Sequence, residues 1–319
     1  MKNFKIIQYL PLVRPRAIKR LIPQFSNRKI NLILDLEDSA QDIFDNAKTH
    51  FLKKKSREGL KYLSSELNNI KLDCEIFVRI NGIKTEYFSE DLLLIKDIIK
   101  ENFPLEGIFL PKIESYDQLV YLNKEINNFN NNINIVPMFE TCKGILNLEK
   151  ILEEDNNKII RKFHYGHFDY CLDSNIWPFT YPNDLDYWEI VKKLVKISNQ
   201  YKISYVHTPF PLINNVRLFW EMSNYLSTLI DDDQEYYLST VNTEISFSTK
   251  KEEYRNLKID SVLNTSQENK IIEAKKIISL FENKKINSRS FSKSNDLFIP
   301  PHQYILAKKI LGDKRNYGK

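Results

Sequence analysis

Seven times along its first two-thirds the chain repeats one unit. A short run of β-branched or aromatic residues ends in polar, often acidic residues, and a longer stretch with helical spacing follows. The runs fall at 5–10, 31–36, 75–80, 107–110, 133–139, 162–167 and 203–207, with an eighth at 236–240. Each intervening segment can hold a helix and two connections. Two of them, 91–101 (DLLLIKDIIKE) and 190–200 (IVKKLVKISNQ), carry apolar residues at helical spacing. Strands alternating with helices imply βαβ units and a parallel sheet. Eight such units predict a closed (β/α)8 TIM barrel. A doubly wound open sheet would need fewer units and would open on a Gly-rich turn.

That turn is missing. The 319 residues include only seven glycines, where average usage of about 7% would give roughly three times as many. Neither G-x-G-x-x-G nor G-x-x-x-x-G-K-[ST] occurs, so no loop of clustered backbone amides cradles a nucleotide phosphate. The net charge of +5 is spread along the chain. The basic run at 53–55 reads as a solvated helix face, and no interleaved aromatic and basic motif points to nucleic acid. Cys74, Cys142 and Cys171 are odd in number and form no C-x-x-C, which argues against a disulfide framework or zinc ribbon and for a reducing cytoplasm. No apolar run approaches the ~20 residues of a membrane span, and Pro and Arg interrupt the N-terminus too early for a signal peptide.

Residues 1–265 read as the barrel, with 231–265, less periodic, as its close. Residues 266–319 read as a helical extension. It comprises a helix at 267–281, a Ser- and Asn-rich stretch at 282–296, and a second helix entered through Pro300 and Pro301. The extension is expected to pack on the barrel or on a neighbouring subunit.

Chemistry in such a barrel sits at the C-terminal ends of the strands. Those ends carry Asp35, Glu37 and Asp38; Arg79 and Asn81; Lys112 and Glu114; Glu140; His164, His167 and Asp169; and His207. Any one of these could merely cap the next helix; ionisable groups on strand after strand are much harder to attribute to capping alone. Glu140 and Asp169 come from neighbouring strands and converge as two hard carboxylates, which suits Mg²⁺. Arg79 offers a planar fork for a substrate carboxylate, or an ion pair with Glu37 or Asp38, and the two roles can coexist. A cation beside a 2-oxo acid polarises its carbonyl and stabilises an enolate, the central demand of aldol and Claisen chemistry. A rival set, His164, His167 and His207 with Asp169, would ligate zinc or ferrous iron, but His164 and His167 share one metal only if their strand breaks at Gly166. Cys142 reads as a packed small residue, and Tyr187, Trp188, Phe219 and Trp220 as core.

The segments LILDLEDS, VRIN, GIFLPKIES, FET and YGHFD stand in the order and spacing of the citrate lyase beta-subunit-like aldolases. Over about residues 5–215 the chain resembles this HpcH/HpaI aldolase and citrate lyase family. EAKKIISLFE and SNDLFIPPHQYILAKKIL are similar to the family's closing helices. The resemblance implies a Mg²⁺-binding TIM barrel that cleaves or forms a carbon–carbon bond in a small 2-oxo acid or carboxylate. In some members the substrate is an acyl-coenzyme A thioester. It places the metal ligands at Glu140 and Asp169, the substrate-holding arginine at Arg79, and an acidic catalytic pair at Glu37 and Asp38. Arg14, Lys112 and His207 join Arg79 as candidate substrate contacts. It also implies a homotrimer or hexamer with the C-terminal helices against neighbours. Two segments depart from the family: PLVRPR lacks the usual glycine before Arg14-Pro15, and YYLSTVNTEISFS lacks the Gly-Lys…His-Pro stretch associated with acyl-CoA use. The second departure motivates an alternative, a barrel that lost catalysis and serves as a binding or pathway-assembly protein.

Overall fold

A computed structural model describes residues 4–68, 70–128, 133–212, 215–248, 270–283, 292–294 and 297–312. Eight parallel strands close into a barrel: β1 (Phe4–Pro11), β2 (Asn31–Asp35), β3 (Ile76–Arg79), β4 (Leu105–Leu110), β5 (Asn134–Phe139), β6 (Lys162–Tyr165), β7 (Ser204–His207) and β8 (Tyr236–Thr240). Closure is direct, since β1 pairs with β2 and also with β8. The helices that follow the strands in turn are α1 (Pro15–Asn27), α2 (Asn46–Leu67), α3 (Phe88–Lys100), α4 (Tyr116–Asn127), α5 (Cys142–Glu154), α6 (His167–Asp173), α7 (Leu185–Tyr201), α8 (Val216–Leu229) and the short α9 (Thr243–Phe247).

The strands are buried on both faces, which is why they read as near-continuous apolar runs. Alternate residues Ile7, Tyr9, Ile33, Phe77, Phe109, Val136, Met138, Val206 and Tyr237 fill the barrel interior. Their neighbours Ile6, Leu32, Leu34, Val78 and Ile108 pack outward with the helices, where Tyr187, Trp188, Phe219 and Trp220 are core as expected. Local caps set the helix starts: Asp45 accepts from the Lys48 amide, Thr141 accepts from that of Gly144, and Ser115 with Gln118 forms a capping box. Gly59 lies inside α2 because a Cβ there would meet the Leu12 carbonyl oxygen at 2.2 Å. None of the described helices is long and apolar enough to cross a membrane.

Three expectations are corrected. Lys53 is no part of a solvated face; it is buried, while Lys54 and Lys55 are exposed. Strand β6 ends at Tyr165 rather than at residue 167, because the chain turns at Gly166 and His167 opens α6. Within the polar stretch, β9 (Ser292–Ser294) pairs antiparallel with β10 (Leu297–Ile299). The extension's helices are α10 (Lys270–Asn283) and α11 (Pro301–Ile310); the expected boundary near residue 265 lies outside the described residues. The two helices pack together, and α11 rests on α6 of its own barrel. Ile277, Phe281, Ile299 and Tyr304 form one cluster with Cys171, Trp177 and Phe179. Each such aliphatic or phenyl side chain contributes about 1.5–3 kcal/mol relative to exposure.

Candidate cation site at the strand ends

Asp35 closes β2 and Arg79 closes β3, and the parallel register sets them side by side. Arg79 Nε and Nη2 each donate to one oxygen of Asp35 at 2.7 Å, a buried bidentate pair. Burial alone would push the Asp35 carboxyl up, but Arg79 outweighs it and holds the group below the usual carboxylate range. The same carboxylate accepts from the amides of Glu37 and Ser39 at 3.0 Å, folding the loop so that Glu37 and Asp38 turn toward the guanidinium. Arg79 Nη1 donates to Asp38 Oδ2 at 3.1 Å. Glu37 Oε2 lies 2.9 Å from Nη1, in ion-pair range but outside hydrogen-bond geometry. Lys53 braces this loop from α2, donating to the carbonyls of Leu36 (3.0 Å) and Glu37 (2.6 Å) and to Asn81 Oδ1 (2.6 Å). Its burial lowers its pKa.

Lys112 follows β4 with a left-handed φ of 56°. A non-glycine residue held there costs of order 1–2 kcal/mol, and its surroundings repay that. Its amide donates to Glu140 Oε1 at 3.1 Å; its ammonium donates to Glu37 Oε1 at 3.0 Å and lies 3.6 Å from Asp169 Oδ1. Burial depresses the Lys112 ammonium, yet Asp169, Glu37 and Glu140 overcome this and hold it well above its ordinary range. Glu140 follows β5 and packs against Gly166, and Asp169 sits in the first turn of α6. His302, at the start of α11, brings Nε2 to 2.9 Å from Asp169 Oδ2. Donor atoms of Asp38, Asp169 and His302 lie within 4.8 Å of one another.

Asp35, Asp38, Arg79, Glu140, Asp169 and His302 wall a cavity of about 190 Å³. Tyr9, Met138 and His164 line it from the barrel, Thr208 and Val241 from the β7 and β8 ends, and Pro300, Pro301 and His302 from the extension. Asp35, Glu37, Asp38, Glu140 and Asp169 crowd this end of the barrel with Arg79, Lys112 and Lys53. Burial, then Asp169 and Glu37, push the Glu140 carboxyl well above the carboxylate range. The carboxylate oxygens gathered here, with Asp38, Asp169 and His302 donors within 4.8 Å of one another, fit a divalent cation such as Mg²⁺.

Asp38, Arg79, Glu140 and Asp169, expected at the site, thus line one cavity, while Glu37 and Lys112 do not line it and meet it through their contacts with Arg79 and Asp169. Arg14 and His207 do not join them. Arg14 stands exposed ahead of α1, outside the cavity lining. His207 is fully buried, with Nε2 2.7 Å from the Tyr187 hydroxyl and Nδ1 3.1 Å from that of Tyr205. Burial and then His167 push its pKa down to about 3. The rival histidine site does not form among the described residues. His164 Nε2 meets the Tyr9 hydroxyl at 3.2 Å, while His167 is held by Tyr165 and by the Thr180 carbonyl, each at 2.8 Å. Two partners were not foreseen. Asp35 was placed at the rim without its role, which the strand register alone decides. His302 carried no signal, since nothing in the sequence ties the extension to β6.

Fold and site together define a (β/α)8 barrel with an acidic centre at the C-terminal ends of its strands. The chain belongs to the HpcH/HpaI aldolase/citrate lyase family, which it matches over residues 12–227. Similar solved structures include RipC from Yersinia pestis, at 17% identity over 77% of this chain and 93% of that one, with a TM-score of 0.56. The citrate lyase beta subunit complexed with oxaloacetate and magnesium from M. tuberculosis shares 15% identity over 79% and 96%, with a TM-score of 0.54. The M. tuberculosis protein CitE in complex with magnesium, acetoacetate and coenzyme A shares 14% over 96% of both chains, with a TM-score of 0.55. At such identities the likeness speaks for the fold. No curated protein matches the chain.

Proposed function

We propose that this protein is a Mg²⁺-dependent carbon–carbon lyase or aldolase acting on a small 2-oxo acid or carboxylate. The carrying observation is the convergence of Asp38, Glu140 and Asp169 with Arg79 around one cavity of about 190 Å³. Glu140 and Asp169 would hold the cation, with Glu37 and Asp38 beside it. Bound there, Mg²⁺ supplies Lewis-acid polarisation of a carbonyl oxygen, which favours the enolate side of an aldol or Claisen step. Arg79 supplies fixed positive charge on the cavity wall, Lys112 backs Asp169 at 3.6 Å, and a substrate carboxylate reaching Arg79 Nη1 would exchange with Asp38. Asp35 keeps the guanidinium in place throughout. Tyr9 and His164 stay neutral at the inner end, since burial drives the phenol up and the imidazole well down. Mg²⁺ titration by calorimetry, followed by turnover assays with oxaloacetate, citrate and acyl-CoA candidates, tests this reading. Binding and turnover in the wild type, both lost in Glu140→Gln and Asp169→Asn, are expected. No dication binding at millimolar concentration would instead support the barrel that lost catalysis.

A further inference from the structure

Resting on that cation site, a finer assignment concerns the extension. We propose that His302 is itself a ligand of the divalent cation, so that an imidazole nitrogen joins the carboxylates of Asp169 and Asp38. The site then prefers a first-row transition dication such as Mn²⁺ over Mg²⁺, and its occupancy ties α11 to the barrel.

Three observations carry this. His302 Nε2 and Asp169 Oδ2 are 2.9 Å apart. Two ligands at ~2.1 Å from a metal and at right angles to each other lie ~3.0 Å apart, so the pair already has the spacing of one octahedral edge. Asp38 supplies a third donor within 4.8 Å of both. Second, the imidazole is 6% exposed and lines the cavity beside Asp38 and Asp169, so it is held away from bulk solvent where the two carboxylates converge. Third, the imidazole is delivered by a rigid element. The Gln303 side chain donates to the Tyr181 hydroxyl at 3.0 Å, and the Tyr304 hydroxyl donates to Glu282 at 2.8 Å, while Tyr304 and Ile305 are buried in the cluster that joins α11 to α6. The ring is therefore fixed before any cation arrives.

The chemical consequence follows from donor type. Carboxylates alone suit Mg²⁺, whereas imidazole favours transition dications. The structural consequence follows from connectivity. A cation shared by α6 and α11 binds only when the extension is docked, so binding stabilises the docked state by mass action.

The test is electron-spin-echo spectroscopy of the Mn²⁺-loaded wild type, with Mn²⁺ and Mg²⁺ affinities for wild type, His302→Gln and Asp169→Asn. Nitrogen coupling to Mn²⁺ is expected in the wild type and absent in His302→Gln. Mn²⁺ affinity should fall by at least the roughly 10- to 100-fold typical of losing a supporting partner, and Mg²⁺ affinity by less. Hydrogen exchange in residues 301–310 should slow on Mn²⁺ addition. Mn²⁺ binding that is lost in Asp169→Asn but shows no nitrogen coupling in the wild type, or equal Mn²⁺ affinity in His302→Gln, overturns the His302 assignment and leaves the cation site standing. A wild type that binds neither dication overturns both. The wild-type spectrum decides even if His302→Gln folds poorly.

Discussion

Gly166→Ala isolates the contact that seats Glu140, on which the proposed cation site rests. The backbone at Gly166 has φ −97° and ψ 87°, outside the left-handed region, so an alanine there meets no φ penalty and the cost is steric. A Cβ would stand 2.1 Å from Glu140 Oε2, 2.7 Å from its Cβ and 3.1 Å from its Cδ. The carboxylate end can swing away. The Glu140 Cβ cannot, because it is fixed to the end of β5. Restoring an ordinary carbon contact of 3.4 Å requires β5 and the start of α6 to part by about 0.7 Å. Overpacking of this kind costs about 1–3 kcal/mol. The same displacement exceeds the ~0.2 Å within which metal–ligand distances hold, so cation affinity should fall at least about tenfold, or 1.4 kcal/mol. Urea unfolding measures the first effect and calorimetric Mg²⁺ titration the second. Gly82→Ala is the control: its Cβ would find nothing nearer than the Pro111 carbonyl oxygen at 3.8 Å, and it should change stability by less than about 1 kcal/mol. If Gly166→Ala matches Gly82→Ala in stability and retains wild-type cation affinity, the packing argument for Glu140 is wrong.

Two further outcomes follow from buried charge. Asp35→Ala removes the bidentate partner of a buried guanidinium and should cost about 3–5 kcal/mol in urea unfolding; a loss below about 1 kcal/mol would show that Glu37 and Asp38 hold Arg79 unaided. His207 has a folded pKa of about 3 against about 6.5 unfolded. The native state therefore refuses a proton that the unfolded chain accepts, and stability falls as pH drops from about 6.5 toward 3. His207→Gln should remove up to about 1.4 kcal/mol per pH unit of that slope between pH 6.5 and 5. Equal slopes in wild type and variant between those pH values would count against the assignment.

The strands were legible because burial on both faces leaves little room for polar residues, and the helices because one face packs against the sheet. Legibility ended where a polar residue obeys a local demand. Lys53 shares the buried side of α2 with Ser56 and Leu60, but its charge hides it from any hydrophobic pattern; only the loop carbonyls it binds explain its burial. The run FHYGHF reads as strand to its end, although Gly166 and the α6 start cut it at Tyr165. The scarcity of glycine also becomes intelligible. Lys29, Asn102, Asn175 and Lys202 take the left-handed positions at or just past helix ends, with φ of 54–59°, places glycine commonly fills. Glycine was kept where a Cβ would strike something fixed, as at Gly59 and Gly166. At the site, the acids at strand ends were visible one by one. Their partnerships were not, because register, loop folding and a helix from the far end of the chain decide which charge meets which.

Those partnerships bear on how a small acid is recognised. With Nε and one hydrogen of Nη2 committed to Asp35, Arg79 keeps only its Nη1/Nη2 end for a substrate carboxylate. At that end Nη1 already meets Asp38 at 3.1 Å and Glu37 Oε2 at 2.9 Å. Asp38 is also one of the three groups whose donor atoms cluster with those of Asp169 and His302. Were Asp38 to turn to a cation, one of the two acidic contacts on Nη1 would open to an incoming carboxylate, with Glu37 still 2.9 Å away, so cation and acid would favour each other through a single side chain. That geometry predicts cation before acid, with Arg79 as a gated contact and not a permanently open clamp. Acid binding measured without a dication should therefore be weak in the wild type and stronger in Asp38→Asn, where one of the two competing charges on Nη1 is gone.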